Sequence, residues 1–200
     1  HEKRANWGVG ADDFIIICPA RVTHLKGQHL LIEALGQIDH ALKPKLVLVG
    51  SAQGRENYVA DLKNQAAALG LTHRLVFAGL EADMPSAYAA ADLAIVPTIR
   101  PEPFGRTIIE AQAAGLPVIG SDAGGYRETI IAKAPEDGGT GWLAEMGNAA
   151  ALAAQIEAAL SMPRAAFLKL GENGRANVLT QYTRNAMCNR TLNVYQELLK

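Results

Sequence analysis

The sequence predicts an α/β protein: a Rossmann-like, doubly wound parallel sheet of about six strands with helices on both faces. Three observations predict it. Short apolar runs alternate with longer stretches whose apolar residues recur at helical spacing. The short runs are continuously apolar, as strands covered on both faces must be. Glycine or charge follows the runs, where a parallel sheet places its ligand-facing loops.

The elements follow in order. "FIIICPA" (14–20) reads as a buried strand. "GQHLLIEALGQI" (27–38) carries Leu30, Leu31, Ala34, Leu35 and Ile38 at helical spacing. "KLVLVG" (45–50) is a second strand, and "RENYVADLKNQAAALG" (55–70) a helix closed by Gly70. "RLVFAG" (74–79) is a third strand, "MPSAYAAA" (84–91) a short helix, and "DLAIVP" (92–97) a strand stopped by Pro97. "GRTIIEAQAAG" (105–115) is a helix, "LPVIGSD" (116–122) a strand, and "YRETII" (126–131) a helical turn or two. "GWLAE" (141–145) is the last strand. Helices then run to the end, the first capped by Asn148 and the next starting at Pro163.

The totals suit this fold. The chain has 200 residues, 49% of them hydrophobic and 20% charged, enough apolar material for a sizeable core. The formal net charge is -1 and no dense Lys/Arg run occurs, which argues against a nucleic-acid partner. Cys18 and Cys188 are far apart in sequence; they read as reduced thiols, with neither a disulfide framework nor a zinc pattern, and Cys18 as core filler. The polar opening "HEKRANWGVG" does not read as a signal peptide, and "FIIIC" is far too short to span a bilayer. The expectation is a cytoplasmic protein, with peripheral contact at the inner face of a membrane left open.

In a doubly wound sheet ligands bind beyond the carboxyl ends of the strands. The loop after the first strand, "ARVTHLKG", brings Arg21 and Lys26. The loop after the fourth, "TIRPEPFG", brings Glu102 and leads into a helix opening at Gly105, Arg106 and Thr107. The first N–H groups of a helix have no intrahelical acceptor and suit a phosphate, and Arg21 and Lys26 add full charges that would neutralise a diphosphate. Glu110 lies five residues further along, about 7 to 8 Å down the axis. That reach matches a ribose joined to the phosphate. Glu102, on the other side of the anion site, would accept from hydroxyls at the far end of the ligand. A ribose, a diphosphate and a polyhydroxylated group together describe a nucleotide sugar. Taken singly, each of these residues is an ordinary surface side chain, and His24 and His29 read as solvent-facing or structural; the ordered series carries the argument.

That series resembles a known family. "CPARVTHLKGQHLLIEAL", "KLVLVGSAQG", "RLVFAGLEADMPSAYAAADLAIVPTIRPEPFGRTIIEAQAAGLPVIGSDAGGYRETI" and "GGTGWLAEMGNAAALAAQIEAAL" are similar, in this order, to the C-terminal, donor-binding domain of retaining glycosyltransferases of the GT-B fold, family 4 (glycosyl transferases group 1). The third block includes the Glu-x7-Glu motif at Glu102 and Glu110. The resemblance implies that Arg21 and Lys26 hold the donor diphosphate and stabilise the leaving group, and that Glu102 lies near the transferred sugar. It further implies that Phe104, Gly105, Arg106 and Thr107 meet sugar and phosphate, that Glu110 binds the ribose, and that Gly50, Gly79 and Leu80 lie near phosphate and base. It implies no bound metal and no cofactor beyond the nucleotide-sugar donor as substrate. Three positions depart from the usual pattern: Cys18 with Pro19, Pro103 and Arg106.

Only half of such an enzyme is present. Residues 1–182 would be the nucleotide-sugar-binding domain, and 183–200 a C-terminal helix returning toward a missing N-terminal domain that carries the acceptor site. The expected function is transfer of a hexose from a UDP or GDP sugar to a glycan or lipid-linked acceptor in cell-envelope polysaccharide or lipopolysaccharide synthesis, inactive without the N-terminal half. The alternatives are a non-catalytic nucleotide-binding module and a sugar-nucleotide epimerase of related fold. The first loop has no G-x-G-x-x-G, which disfavours a dinucleotide dehydrogenase, and no Walker A sequence occurs.

Overall fold

A single parallel sheet organises the chain in a computed structural model that describes residues 2–39 and 41–199. Among them are six strands: β1 (Ile15–Pro19), β2 (Lys45–Val49), β3 (Leu75–Gly79), β4 (Leu93–Val96), β5 (Val118–Ser121) and β6 (Gly141–Ala144). Their order is β3-β2-β1-β4-β5-β6, every neighbouring pair parallel. This is the doubly wound order, which reverses between β1 and β4 and opens a crevice there.

Why the strands read as unbroken apolar runs is visible in the core. Successive side chains of a strand point to opposite faces, and here both faces are covered. Ile16, Cys18, Leu46, Leu48, Leu93 and Ile95 enter one cluster. Ile15, Ile17, Val47, Val49, Ala94 and Val96 enter the other. Burying each such Ile, Leu or Val contributes about 1.5–3 kcal/mol relative to exposure. β3, at the sheet's edge, is only half-buried.

The helices divide between the faces. The first cluster is covered by α2 (Gln28–Gln37), α3 (Glu56–Ala68) and α7 (Ala149–Ser161), with Phe167 of α8 (Arg164–Gln181). The second is covered by α4 (Met84–Ala90), α5 (Arg106–Ala113) and the short α6 (Tyr126–Thr129). In α2 the buried apolar set is Leu31, Ile32, Ala34 and Leu35, with Gln28 buried beside them; Leu30 is only half-buried. Asn148 caps α7 by accepting from Ala151 N at 3.0 Å, and Asp83 caps α4 by accepting from Ser86 N at 3.2 Å. α8 starts immediately after Pro163.

Two terminal helices complete the chain. α1 (Glu2–Asn6) is tied to the loop after β3 by Lys3 Nζ donating to Glu81 Oε2 at 2.7 Å. α9 (Arg184–Leu198) contributes no buried residue. His1 and Lys200, the outermost residues of the two segments drawn from the sequence, lie outside the described residues.

Candidate nucleotide-sugar site

The loops after β1 and β4 are locked together at the crevice by small residues and backbone contacts. The β1 loop ends in a short 3-10 turn, His24–Lys26, and Gly27 then opens α2 at φ 71. A Cβ on Gly27 would lie 1.8 Å from Pro97 O, so only glycine lets the two loops meet. Ile99 N donates to Leu25 O at 3.1 Å across the same seam.

The far side of the β4 loop rests on the β5 loop. Gly125 N donates to Glu102 O at 2.7 Å, and Ser121 Oγ donates to Thr98 O at 2.7 Å. Side chains on Gly124 or Gly125 would collide with the backbone of Glu102, Pro103 or Phe104. Gly105, at φ 82, caps α5 and sits on the ring of Tyr126, whose Cε1 would be 2.4 Å from an added Cβ. Burial, then the Glu102 carboxylate, push the Tyr126 hydroxyl above its ordinary pKa and keep it neutral. Tyr126, Gly124 and Gly125 thus fix the height and slope of the Glu102–Gly105 segment.

Beyond the strand ends lies a cavity of about 210 Å³ that gathers residues from the loops after β1, β2 and β3 and from helices α4 and α5. Arg21, Gly50, Leu80, Thr107 and Glu110 all line it, which places five of the sequence-derived residues around one space. Gly50 is required for a second reason. A Cβ there would stand 2.0 Å from Ala20 O, so the β1 and β2 loops approach only across a bare backbone. Its N–H donates to Gly79 O at 2.8 Å, which sets Gly79 behind the cavity wall with Leu80 exposed at the rim.

Glu110 is held from both sides. Tyr88 Oη, buried in α4, donates to one carboxylate oxygen at 3.3 Å, and Arg106 Nη2 approaches the other at 3.3 Å. Burial, then the negative Glu110, raise the Tyr88 hydroxyl's pKa, so it stays a donor. The Arg106 side chain is 82% exposed, and so its pairing is weak and easily exchanged.

Lys26 and Glu102 do not line that cavity. They bridge the crevice mouth instead, Nζ to Oε2 at 2.7 Å, each about three-quarters buried. The sequence placed Lys26 beside Arg21 as a phosphate cation and Glu102 across the anion site. In the structure the loops of adjacent strands β1 and β4 bring the unlike charges together, while Arg21 alone turns into the cavity. Phe104 is half exposed and packs edge-to-face on Tyr182, just past the end of α8, ring centroids 6.0 Å apart.

Other side chains fill structural places. His24 stacks on His29, centroids 4.3 Å apart, and His29 Nδ1 lies 3.0 Å from Tyr58 Oη. Cys18 is fully buried, and burial pushes its thiol up to about 12. Among the described residues no group of three or more His, Cys, Asp or Glu is placed to hold a metal ion. Among them no helix is long and apolar enough to cross a membrane.

Sequence reasoning missed Tyr88 and Tyr126. Both lie in alanine- or glycine-flanked stretches where an aromatic reads as core. Both are core; Tyr88 gains a second task through its hydroxyl on Glu110, and Tyr126 through the ring on which Gly105 rests.

A doubly wound parallel sheet with helices on both faces and a cavity at its strand ends defines a Rossmann-like domain. The chain belongs, more narrowly, to the family described as "Glycosyl transferases group 1", whose model matches residues 1–177. A solved structure from Anabaena, Alr3699/HepE in complex with UDP and glucose, superposes with TM-score 0.86 at 31% identity, over 98% of this chain and 51% of that one. The chain is also similar to the GDP-mannose-dependent alpha-(1-6)-phosphatidylinositol monomannoside mannosyltransferase of Mycolicibacterium smegmatis, 30% identical over 86% of this chain and 44% of that protein. It is likewise similar to the lipopolysaccharide core biosynthesis glycosyltransferase LpsE of Rhizobium meliloti, 29% identical over 92% of this chain and 50% of that protein. The chain thus spans about half the length of these proteins and corresponds to the C-terminal domain of the fold.

Proposed function

We propose that the chain is the donor-binding half of a retaining, family 4 glycosyltransferase that moves a hexose from a nucleoside-diphosphate sugar to a glycan or lipid-linked acceptor. The observation that carries the reading is Arg21 and Glu110 lining one cavity with Gly50, Leu80 and the start of α5. In this reading the base lies toward Leu80 and the ribose hydroxyls donate to Glu110. The diphosphate meets Arg21 and the free N–H groups of Arg106 and Thr107.

Chemistry follows from charge. When the glycosidic bond breaks, negative charge grows on the departing diphosphate. Fixed cations and N–H dipoles aimed there lower the barrier without reorganising. Lys26 sits within reach of that process only after leaving Glu102, and Glu102 would then be free to accept from sugar hydroxyls near Phe104. The pair is therefore a ground-state placeholder that the donor exchanges for its own phosphates and hydroxyls. Side chains and a helix start supply the counter-charge, so the reading is metal-independent and needs no cofactor besides the donor.

UDP or GDP is the expected nucleotide: the Anabaena relative is seen with UDP, while the mycobacterial relative is named for GDP-mannose. The names of the two curated relatives support a role in cell-envelope polysaccharide or lipopolysaccharide synthesis. In this reading the chain works at the cytoplasmic side, in peripheral contact with the membrane. The acceptor side belongs to an N-terminal domain, and α9, with Leu192, Tyr195 and Leu198 exposed, is suited to dock against it. Calorimetric titration with UDP, GDP, ADP and NAD tests the reading. Micromolar to millimolar binding of UDP or GDP with weaker NAD is expected. Preference for NAD, or no nucleoside diphosphate binding, would remove it.

A further inference from the structure

A second, larger cavity lies on the other side of Arg21. It measures about 640 Å³ and is framed by the β1 loop and the first turns of α3. Arg21 lines this space and the donor cavity alike, so the two share one cationic wall. Arg55 faces the same space from the start of α3.

These two guanidinium groups differ from three others in the chain. Arg4, Arg106 and Arg127 each have a carboxylate within ion-pair distance. Among the described residues neither Arg21 nor Arg55 has one. Arg55 is anchored by backbone instead: Nη1 donates to Ala52 O at 3.1 Å. The loop doubles back to make that contact, with Gln53 at φ 49 and Gly54 at φ 80. A left-handed glutamine is a strained conformation that its surroundings must hold in place. Arginine has five N–H donors in a planar fork, so the anchored side keeps donors for an oxyanion.

The rest of the lining is not cationic. Asn57 and Asp61 line the cavity from α3, and Glu56 joins them. A bare anion would feel these two acids as repulsion. A ligand with one anionic end and hydroxyls at the other would use both walls. His24 and Tyr58 add flat, amphipathic surface, braced by the His24–His29 stack.

We propose that this cavity binds a phosphate ester of a sugar or polyol. The phosphate would lie between Arg21 and Arg55, and the hydroxyls would donate to Asp61 and Asn57. Arg21 then sets donor diphosphate and ligand phosphate side by side, which makes the cavity an acceptor subsite carried by the donor half. That acceptor role rests on the transferase reading; the binding itself does not.

Amide chemical shifts of the 200-residue chain, saturated with UDP, would be followed during titration with glucose 6-phosphate and with myo-inositol 1-phosphate. Glucose and inorganic phosphate serve as the fragment controls. Shifts at residues 23–24 and 55–61 are expected, with at least one ester binding about tenfold or more tighter than either fragment. Arg55→Gln should weaken the ester by about tenfold or more while UDP affinity and Tm stay unchanged. Co-sedimentation with vesicles containing phosphatidylinositol, lost in Arg55→Gln, would mark a lipid headgroup as the source; ester binding without co-sedimentation would mark a soluble one. Equal binding of inorganic phosphate, no binding by either ester, or an indifferent Arg55→Gln overturns the proposal. If UDP fails to bind while an ester does, the transferase reading falls and this site stands.

Discussion

Lys26 and Glu102, 76 residues apart in sequence, meet at 2.7 Å across the mouth of the crevice between β1 and β4. Each satisfies the charge that a bound diphosphate sugar would otherwise meet. If the proposed donor displaces this pair, the two partners should respond to mutation with opposite signs. Lys26→Ala removes a charge-assisted contact and should weaken UDP by roughly tenfold to a hundredfold. Glu102→Gln frees Lys26 and should leave UDP affinity unchanged or tighter. Calorimetry decides; a larger loss in Glu102→Gln than in Lys26→Ala would contradict the exchange.

Tyr88 should matter to the nucleotide only through Glu110. The hydroxyl of the buried Tyr88 donates to the carboxylate at 3.3 Å. Tyr88→Phe keeps the ring and its packing. UDP affinity should fall about twofold to tenfold, by less than in Glu110→Ala. In the double variant the Tyr88→Phe effect should vanish, and additive losses would disconnect the two residues.

Gly105 offers a stability test with a built-in control. Alanine there meets the Tyr126 ring and a left-handed backbone together, and the expected cost is about 2 kcal/mol or more. Gly115, at φ 84, has open space around it, so Gly115→Ala meets only the backbone term of about 1–2 kcal/mol. Thermal unfolding should rank Gly105→Ala clearly below Gly115→Ala. Equal Tm values would mean that Tyr126 yields freely.

The His24–His29 stack predicts acid sensitivity. Burial, then the neighbouring His24, lower the pKa of His29 below its ordinary 6.5. The unfolded chain therefore takes up a proton at His29 before the folded chain does. Stability from this residue is complete above about pH 6.5 and declines as pH falls toward the depressed folded value. Denaturant titrations at stepped pH should show that slope, and His29→Asn should reduce it.

The two thiols should separate cleanly by reactivity. Cys18 is buried in the core with its thiol pushed up to about 12, whereas Cys188 is exposed on α9. Alkylation of the native chain at pH 8 should modify one cysteine, and alkylation in denaturant two. Mass spectrometry would locate the native adduct; modification of Cys18 without denaturant would show that the β1 region opens.

How much of this was legible beforehand follows from where each force acts. Continuous apolar runs betray strands covered on both faces, because every side chain of β1 must be apolar whichever way it points. Helix spacing, Asn148 as a cap and the closing Gly70 and Gly115 are local signals and sit where the sequence places them. Arg21, Gly50, Leu80, Thr107 and Glu110 could be gathered in advance because a parallel sheet sends all its carboxyl-end loops to one edge.

The sequence by itself therefore determined the six strands, the helices between them and the edge at which the candidate site residues gather. Tertiary structure decided the strand order, the choice of Glu102 as partner for Lys26, and the tasks of Tyr88, Tyr126 and the Gly124–Gly125 pair. The physical reason is range. Propensity, capping and periodicity act within a few residues, whereas an ion pair across β1 and β4, or a glycine that admits a neighbouring backbone, exists only after distant segments have been brought into contact.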